Sequence, residues 1–146
     1  MKVIVDIDNT LSLSNKRFEL AKTQNGKIDW NVALNPELVK KDEPNLPMID
    51  LVSRYKHTDT EIIIITGRPE SIKESTEWWL KTHNIEYDKL FMRTEKDHYI
   101  KASILKKNIY ETYVKSGVFC AYDDEEEIIQ MWNQLGIPTF KVNGSV

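Results

Sequence analysis

Two aspartates one residue apart close an apolar run near the start of the chain, Val3-Ile4-Val5-Asp6-Ile7-Asp8-Asn9-Thr10. Carboxylates this close repel unless a positive charge sits between them or they share a proton. A second acidic pair, Asp123-Asp124, ends another apolar run, Val118-Phe119-Cys120-Ala121-Tyr122. Between the two comes Thr66-Gly67-Arg68, directly after Ile62-Ile63-Ile64-Ile65. Four acids, a hydroxyl beside a glycine and nearby cations suit Mg²⁺ and a phosphate. Mg²⁺ takes hard oxygen ligands and keeps several waters, so two or three carboxylates suffice. With the metal present, an ionised Asp6 can approach an anionic phosphate and attack phosphorus, forming an aspartyl-phosphate. Asp8 can give the leaving oxygen a proton and later take one from water. Thr66 and the amide after it can hold a phosphoryl oxygen, and a lysine should neutralise the charge that builds up. Arg68, set in a turn beside Thr66, suits bidentate phosphate binding.

These residues need elements to bring them together. Lys2 to Ile7 reads as a β-strand, short and β-branched, which places Asp6 and Asp8 on one side. Glu61 to Thr66 is a near-continuous apolar strand, as in a sheet buried on both faces. Gly117 to Tyr122 is a third strand, Lys89 to Met92 a fourth, and Pro138 to Val142 an edge strand that tolerates its proline. Helices are expected from Asn45 or Pro47 through Tyr55, from Ser71, from Asp97 to about Lys115, and from Glu125 to Leu135. The Ser71 start is read as a capping box with Glu74. The alternation predicts an α/β fold: a three-layer, doubly wound, Rossmann-like parallel sheet of about five strands. Ligands of such sheets sit beyond the carboxyl ends of the strands. Those ends carry Asp6 and Asp8, Thr66 to Arg68, and Asp123 with Asp124. Residues 1–146 read as a single domain, in which 11–45 form a small lid inserted after the first strand. Arg17, Phe18 and Trp30 of that lid are placed to touch a substrate. For Trp30, packing under the lid is preferred to base stacking.

The bulk properties set limits. A chain of 146 residues with 40% hydrophobic and 29% charged residues can bury a core as one soluble domain. Its net charge of −3 argues against a protein that coats nucleic acid, and confines polymer contact to the last few nucleotides of an end. The single cysteine, Cys120, reads as a buried thiol and fits a reducing, cytoplasmic setting. The first residues lack a signal-peptide layout, and no stretch is long enough to span a membrane.

Asp6-Ile7-Asp8-Asn9-Thr10 resembles the D-x-D-x-T motif of the haloacid dehalogenase-like (HAD) phosphatases. Thr66-Gly67-Arg68 resembles their second motif, Lys101 their motif-three lysine, and Asp123-Asp124 their acidic fourth motif, all in family order. The resemblance implies a Mg²⁺-dependent phosphohydrolase with Asp6 as nucleophile and Asp8 as general acid-base. It implies metal ligands from Asp6, the Asp8 backbone carbonyl, and Asp123 or Asp124. Further features are similar to the 3′-phosphatase domain of phage-type polynucleotide kinase-phosphatases. Arg17 follows motif one, Gly67-Arg68 follows motif two, and Asp97 precedes Lys101 by four. On one helix that spacing lets the acid orient the ammonium. The phosphate-binding set is then Thr66, Gly67, Arg68, Arg17 and Asn9. Asn9 replaces a common glycine and tolerates the same turn. No G-x-x-x-x-G-K-[ST] loop occurs, so the expectation is a stand-alone phosphatase or one half of a system with a separate kinase or ligase partner. The implied substrate is a 3′-phosphorylated nucleic acid end or nucleotide. The competing readings are a 5′-nucleotidase, a small-metabolite phosphatase, and a non-catalytic binding protein.

Overall fold

The computed structural model describes residues 1–143. In chain order these form β1 (Lys2–Val5), β2 (Ser12–Leu13), α1 (Asn15–Ala21), α2 (Trp30–Ala33), α3 (Pro36–Val39), β3 (Glu43–Pro44) and α4 (Leu46–Tyr55). Then follow β4 (Glu61–Pro69), α5 (Lys73–Thr82), β5 (Lys89–Arg93), α6 (Ala102–Ile109), β6 (Val118–Asp123), α7 (Glu126–Gln134) and β7 (Thr139–Lys141). Among the described residues, five strands pair in parallel in the order β5-β4-β1-β6-β7. This is the expected α/β architecture.

Strand alternation divides the core into two layers. Val3, Val5, Ile62 and Ile64 face α4 and α5, packing on Met48, Val52, Trp79 and Leu80. Ile4, Ile63, Ile65 and Ala121 face α6 and α7, packing on Leu105, Ile109, Ile128 and Trp132. Ile62 to Ile65 are all fully buried, and burying each contributes roughly 1.5–3 kcal/mol. Cys120 is buried in the first layer, as expected.

Register decides which polar residues meet. Val5 lies opposite Ile64 of β4 and Tyr122 of β6. One step further on, Asp6 stands level with Asp123, and the Asp6 amide donates to the Tyr122 carbonyl at 3.1 Å. Asp6 falls on the α6/α7 face with Ile4, and Asp123 shares that face with Ala121.

Four local expectations are corrected. Thr66-Gly67-Arg68 lies inside β4 rather than in a turn after it, where the pairing with β5 shifts register between Ile65 and Pro69. Ser71 caps nothing: it sits in a 3₁₀ turn, Glu70–Ile72, and α5 starts after it without a side-chain cap. The helix expected from Asp97 is broken into a 3₁₀ turn at Glu95–Asp97, then α6, then a π-helical end at Tyr110–Val114. Arg93 supplies the reason. Its Nη1 donates to the carbonyls of Asp97, at 2.6 Å, and Ile100, which a helix running through Lys101 would use internally. Trp30, finally, is 59% exposed rather than packed under the insert.

The 11–45 insert is more ordered than its polar sequence suggests. It holds α1, α2 and α3, and β2 pairs with β3 antiparallel at its base.

Candidate active site

Asp6 and Asp8 leave β1 together but enter different surroundings. Asn9 takes a positive φ of 55°, which asparagine tolerates, and the chain bends away from the sheet. The Asn9 side chain is used within this bend, accepting from the Ser14 amide at 2.9 Å and donating to Asn15 at 3.0 Å. Its place is therefore in shaping the loop that carries Asp8.

On the α6 side, the buried ammonium of Lys106 donates to Asp6 Oδ1 at 2.9 Å and Asp123 Oδ2 at 2.7 Å. Burial disfavours the Lys106 charge, but the two carboxylates outweigh it and raise its pKa. Burial also pushes the Asp6 carboxyl well above its ordinary range; Lys106 pulls it back, and Asp123 and Asp8 push it further. Asp124 is pushed up to about 7 by burial, with Asp123 and Glu125 adding to it. Among the described residues, Asp6, Asp123 and Asp124 offer oxygens that all lie within 4.8 Å of one another. Three carboxylates against one lysine leave this pocket short of positive charge, and its hard oxygen donors fit a divalent cation such as Mg²⁺.

On the insert side, Asp8 is gripped by two arginines. Arg68 donates from Nε to Oδ2 at 3.0 Å and from Nη2 to Oδ1 at 2.8 Å. Arg17 and Ser14 also donate to Oδ1, the serine at 2.8 Å. Burial would raise the Asp8 carboxyl, yet the guanidiniums of Arg68 and Arg17 hold it well below its ordinary range. Both arginines are almost fully buried. A further acid, Asp42 at the end of the insert, shares them: it accepts from Arg17 Nε at 3.0 Å and from Arg68 Nη2 at 3.4 Å. Arg17 also donates to the Ala33 carbonyl, and Trp79 Nε1 fixes the Asp42 carbonyl at 2.8 Å.

Thr66 is buried, and its hydroxyl accepts from the Arg68 amide at 3.2 Å. Gly67 has ordinary backbone angles, and a β-carbon there would meet only Arg93, at 4.0 Å. Its carbonyl accepts from Arg93 Nε at 3.1 Å.

Two predicted site residues stand elsewhere. Lys101 is exposed and pairs with Glu127 at 3.4 Å; the lysine between the acids is Lys106. Asp97 accepts from Thr94 Oγ1 at 2.7 Å and does not orient Lys101, because the break before α6 removes the shared helix face. Glu127 is solvated helix surface, taking Lys101 and Ser103. Sequence reasoning also missed Asp42 and Arg93. A signal for Lys106 existed: Ala102, Leu105, Lys106 and Ile109 form one helical stripe, and a lysine in an apolar stripe needs a buried partner. Asp42 carries no such mark.

The parallel sheet with acids, a hydroxyl and a lysine converging at its carboxyl edge defines a phosphatase of the HAD type. The chain belongs to the family of the polynucleotide kinase PNKP phosphatase domain, whose model matches residues 1–145. It is 29% identical over 142 residues to a protein of Autographa californica nuclear polyhedrosis virus described as "Putative bifunctional polynucleotide kinase/RNA ligase", covering 94% of this chain and 18% of that protein. Its fold matches a chain in the structure of the Pnkp1/Rnl/Hen1 RNA repair complex with a TM-score of 0.81 and 30% identity, over 99% of this chain and 43% of that one. A D,D-heptose 1.7-bisphosphate phosphatase from B. bronchiseptica, complexed with magnesium and phosphate, shares the fold at a TM-score of 0.58 and 15% identity, over 97% of this chain and 80% of that one. The chain thus spans less than half the length of the first two. Among the described residues, no helix is long and apolar enough to cross a membrane.

Proposed function

We propose that the chain is a Mg²⁺-dependent phosphomonoesterase that removes 3′-phosphate from nucleic acid ends through an aspartyl-phosphate on Asp6. The observation that carries this reading is Lys106 bridging Asp6 and Asp123 beside Asp124. Asp6, Asp123 and Asp124 would hold the metal, with the Asp8 backbone carbonyl as a further ligand. Bound there, Mg²⁺ neutralises the carboxylates and polarises a phosphoryl oxygen.

In the first step an Asp6 oxygen bonds to phosphorus, the bond from phosphorus to the sugar oxygen breaks, and that oxygen takes a proton from Asp8. In the second, water attacks phosphorus, Asp8 takes its proton, and the bond to Asp6 breaks. Lys106 offsets the charge on Asp6 and on the transferring group. Arg17 and Arg68 hold Asp8 ionised before substrate arrives; turning toward the phosphate, they would release Asp8 to take up a proton from solvent, which it passes to the leaving oxygen and regains from the attacking water. Thr66 and the Gly67 amide would cradle a phosphoryl oxygen.

The family favours an end-processing substrate over a nucleotide or metabolite, and the insert is too small to close a large lid over the site. By the same likeness, we propose that the chain works beside a kinase or ligase that seals the processed end.

The test is phosphate release from DNA and RNA oligonucleotides phosphorylated at the 3′ or the 5′ end, and from nucleoside monophosphates, with and without Mg²⁺. Release should come first from 3′ ends, require Mg²⁺, and fall more than about a thousandfold in Asp6→Asn. Inert 3′ ends beside active 5′-monophosphates would turn the assignment to a 5′-nucleotidase. Full release by Asp6→Asn would remove the covalent step.

A further inference from the structure

Arg93 holds two parts of the site edge together. Its Nε donates to the Gly67 carbonyl at 3.1 Å, and its Nη1 donates to the carbonyls of Asp97, at 2.6 Å, and Ile100. The stretch from Asp97 to Ile100 is therefore one guanidinium away from the segment that would cradle the phosphate. Thr94 steadies the same stretch by donating to the Asp97 carboxylate at 2.7 Å. His98 and Tyr99 stand between the two pinned carbonyls. Tyr99 is 95% exposed, more than any other large apolar side chain of the described residues. The rings of His98 and Tyr99 meet edge-on, with centroids 4.7 Å apart at 75°. An aromatic ring is thus displayed to solvent from a braced loop whose backbone is tied through Arg93 to the segment that would cradle the phosphate.

We infer that Tyr99 is a stacking platform for the nucleoside that carries the phosphate. The inference rests on the 3′-end reading, in which the group attached to the phosphate is a sugar with its base. Every base has a π-face, so a ring at this place binds an end without selecting sequence. The ring has only two side-chain torsions to fix, and the Arg93 bracing keeps the backbone beneath it in place, so little freedom remains to be lost on binding. A protein with a net charge of −3 gains little from polymer phosphates, so contact with the terminal base matters more for its affinity. Tyr99 touches no reacting atom, and its contribution belongs to KM.

The experiment compares two oligonucleotides with a 3′-phosphate, identical except that one lacks the terminal base, under steady state with Mg²⁺. Tyr99→Ala should raise KM on the intact end about tenfold, the order that one stacked base contributes, with kcat held. On the abasic end the same variant should change KM less than about threefold. Tyr99→Trp should restore the intact-end KM, which a general disturbance of the loop would not permit. Trp30→Ala serves as the comparison, because Trp30 is also exposed but sits on the insert. Equal KM changes on the two ends, or a base-dependent loss in Trp30→Ala alone, would overturn the inference while leaving the phosphatase reading intact. Failure of the unaltered chain to act on any 3′-phosphorylated end would overturn both.

Discussion

The surroundings of Asp6 and Asp8 differ in charge, although the two acids are separated by a single residue. Asp6, Asp123 and Asp124 share one lysine, and burial pushes both Asp6 and Asp124 upward. Asp8 and Asp42 share two arginines, and Asp8 is held low. The first pocket is short of positive charge and gains from a cation. The second is balanced, and its arginines are held in place by the two acids they pair with. The division arises where the chain leaves the sheet after Val5: Asp6 is still level with Asp123, while Asp8 falls in the bend that Asn9 continues with its positive φ.

The most severe way to break the contrast is to remove the cation of the first pocket. Lys106→Met leaves Asp6 and Asp123 facing each other, buried and uncompensated. Taking one partner from a buried ion pair costs about 3–5 kcal/mol. Chemical denaturation should show that loss, and phosphate release should fall at least about a hundredfold. Lys101→Ala removes only a surface pair and should stay within about twofold. A large loss in Lys101→Ala with Lys106→Met active would return the motif-three role to Lys101.

That pair of lysines shows what a linear reading can and cannot reach. Asp6, Thr66 and Asp123 were legible because strands have a period of two and parallel strands end at one edge, so apolar runs with polar ends announce a site. A parallel sheet of about five strands with helices on both faces followed from the same runs; the order of the strands did not. The choice of Lys101 rests on its resemblance to the motif-three lysine, supported by Asp97 four residues before it on what reads as one helix. The break in that helix is made by Arg93 at the end of β5, four residues before Asp97: its side chain takes carbonyls a helix would have used, and nothing in an arginine at that spacing announces this. Asp42 was illegible for a different reason: it lies 25 residues from Arg17 and 26 from Arg68, and only the packing of the insert against β4 brings them together. Asp97 to Ile100, read as helix, is instead the loop that displays Tyr99.

A smaller perturbation sharpens the second pocket. Asp42→Asn keeps the shape but removes a charge from the arginine pair. It should lower stability by about 1–3 kcal/mol and lower kcat/KM on a 3′-phosphorylated end about tenfold. Orthophosphate should inhibit the variant more weakly, because the guanidiniums lose their orientation. Tighter inhibition would mean that Asp42 competes with the phosphate, and the second pocket would then be autoinhibited rather than oriented.

The smallest effect is one of pH, and it separates Asp8 by sign from the other buried acids of the site. Asp6, Asp42, Asp124 and Glu125 are all raised in the folded chain, Asp124 to about 7. For such groups the native state holds more protons than the unfolded state. Their contribution to stability is complete below the ordinary carboxylate range and is lost as pH rises through the folded values. Asp8 has the opposite sign, but its contribution is lost only below the ordinary range. Between pH 5.5 and 8 the raised acids therefore govern, with Asp124 titrating in that window at about 7. With a chelator present, the thermal midpoint should be a few degrees higher at pH 5.5 than at 8, since about 1 kcal/mol moves it roughly 2–5 °C in a chain of this size. Asp124→Asn should flatten that slope. Mg²⁺ binds the ionised acids, so it should raise the midpoint more at pH 8 than at 5.5 and shrink the difference. An equal Mg²⁺ increment at both pH values would show that the cation does not displace protons from Asp6 and Asp124, and the contrast between the two pockets would then lose its electrostatic basis.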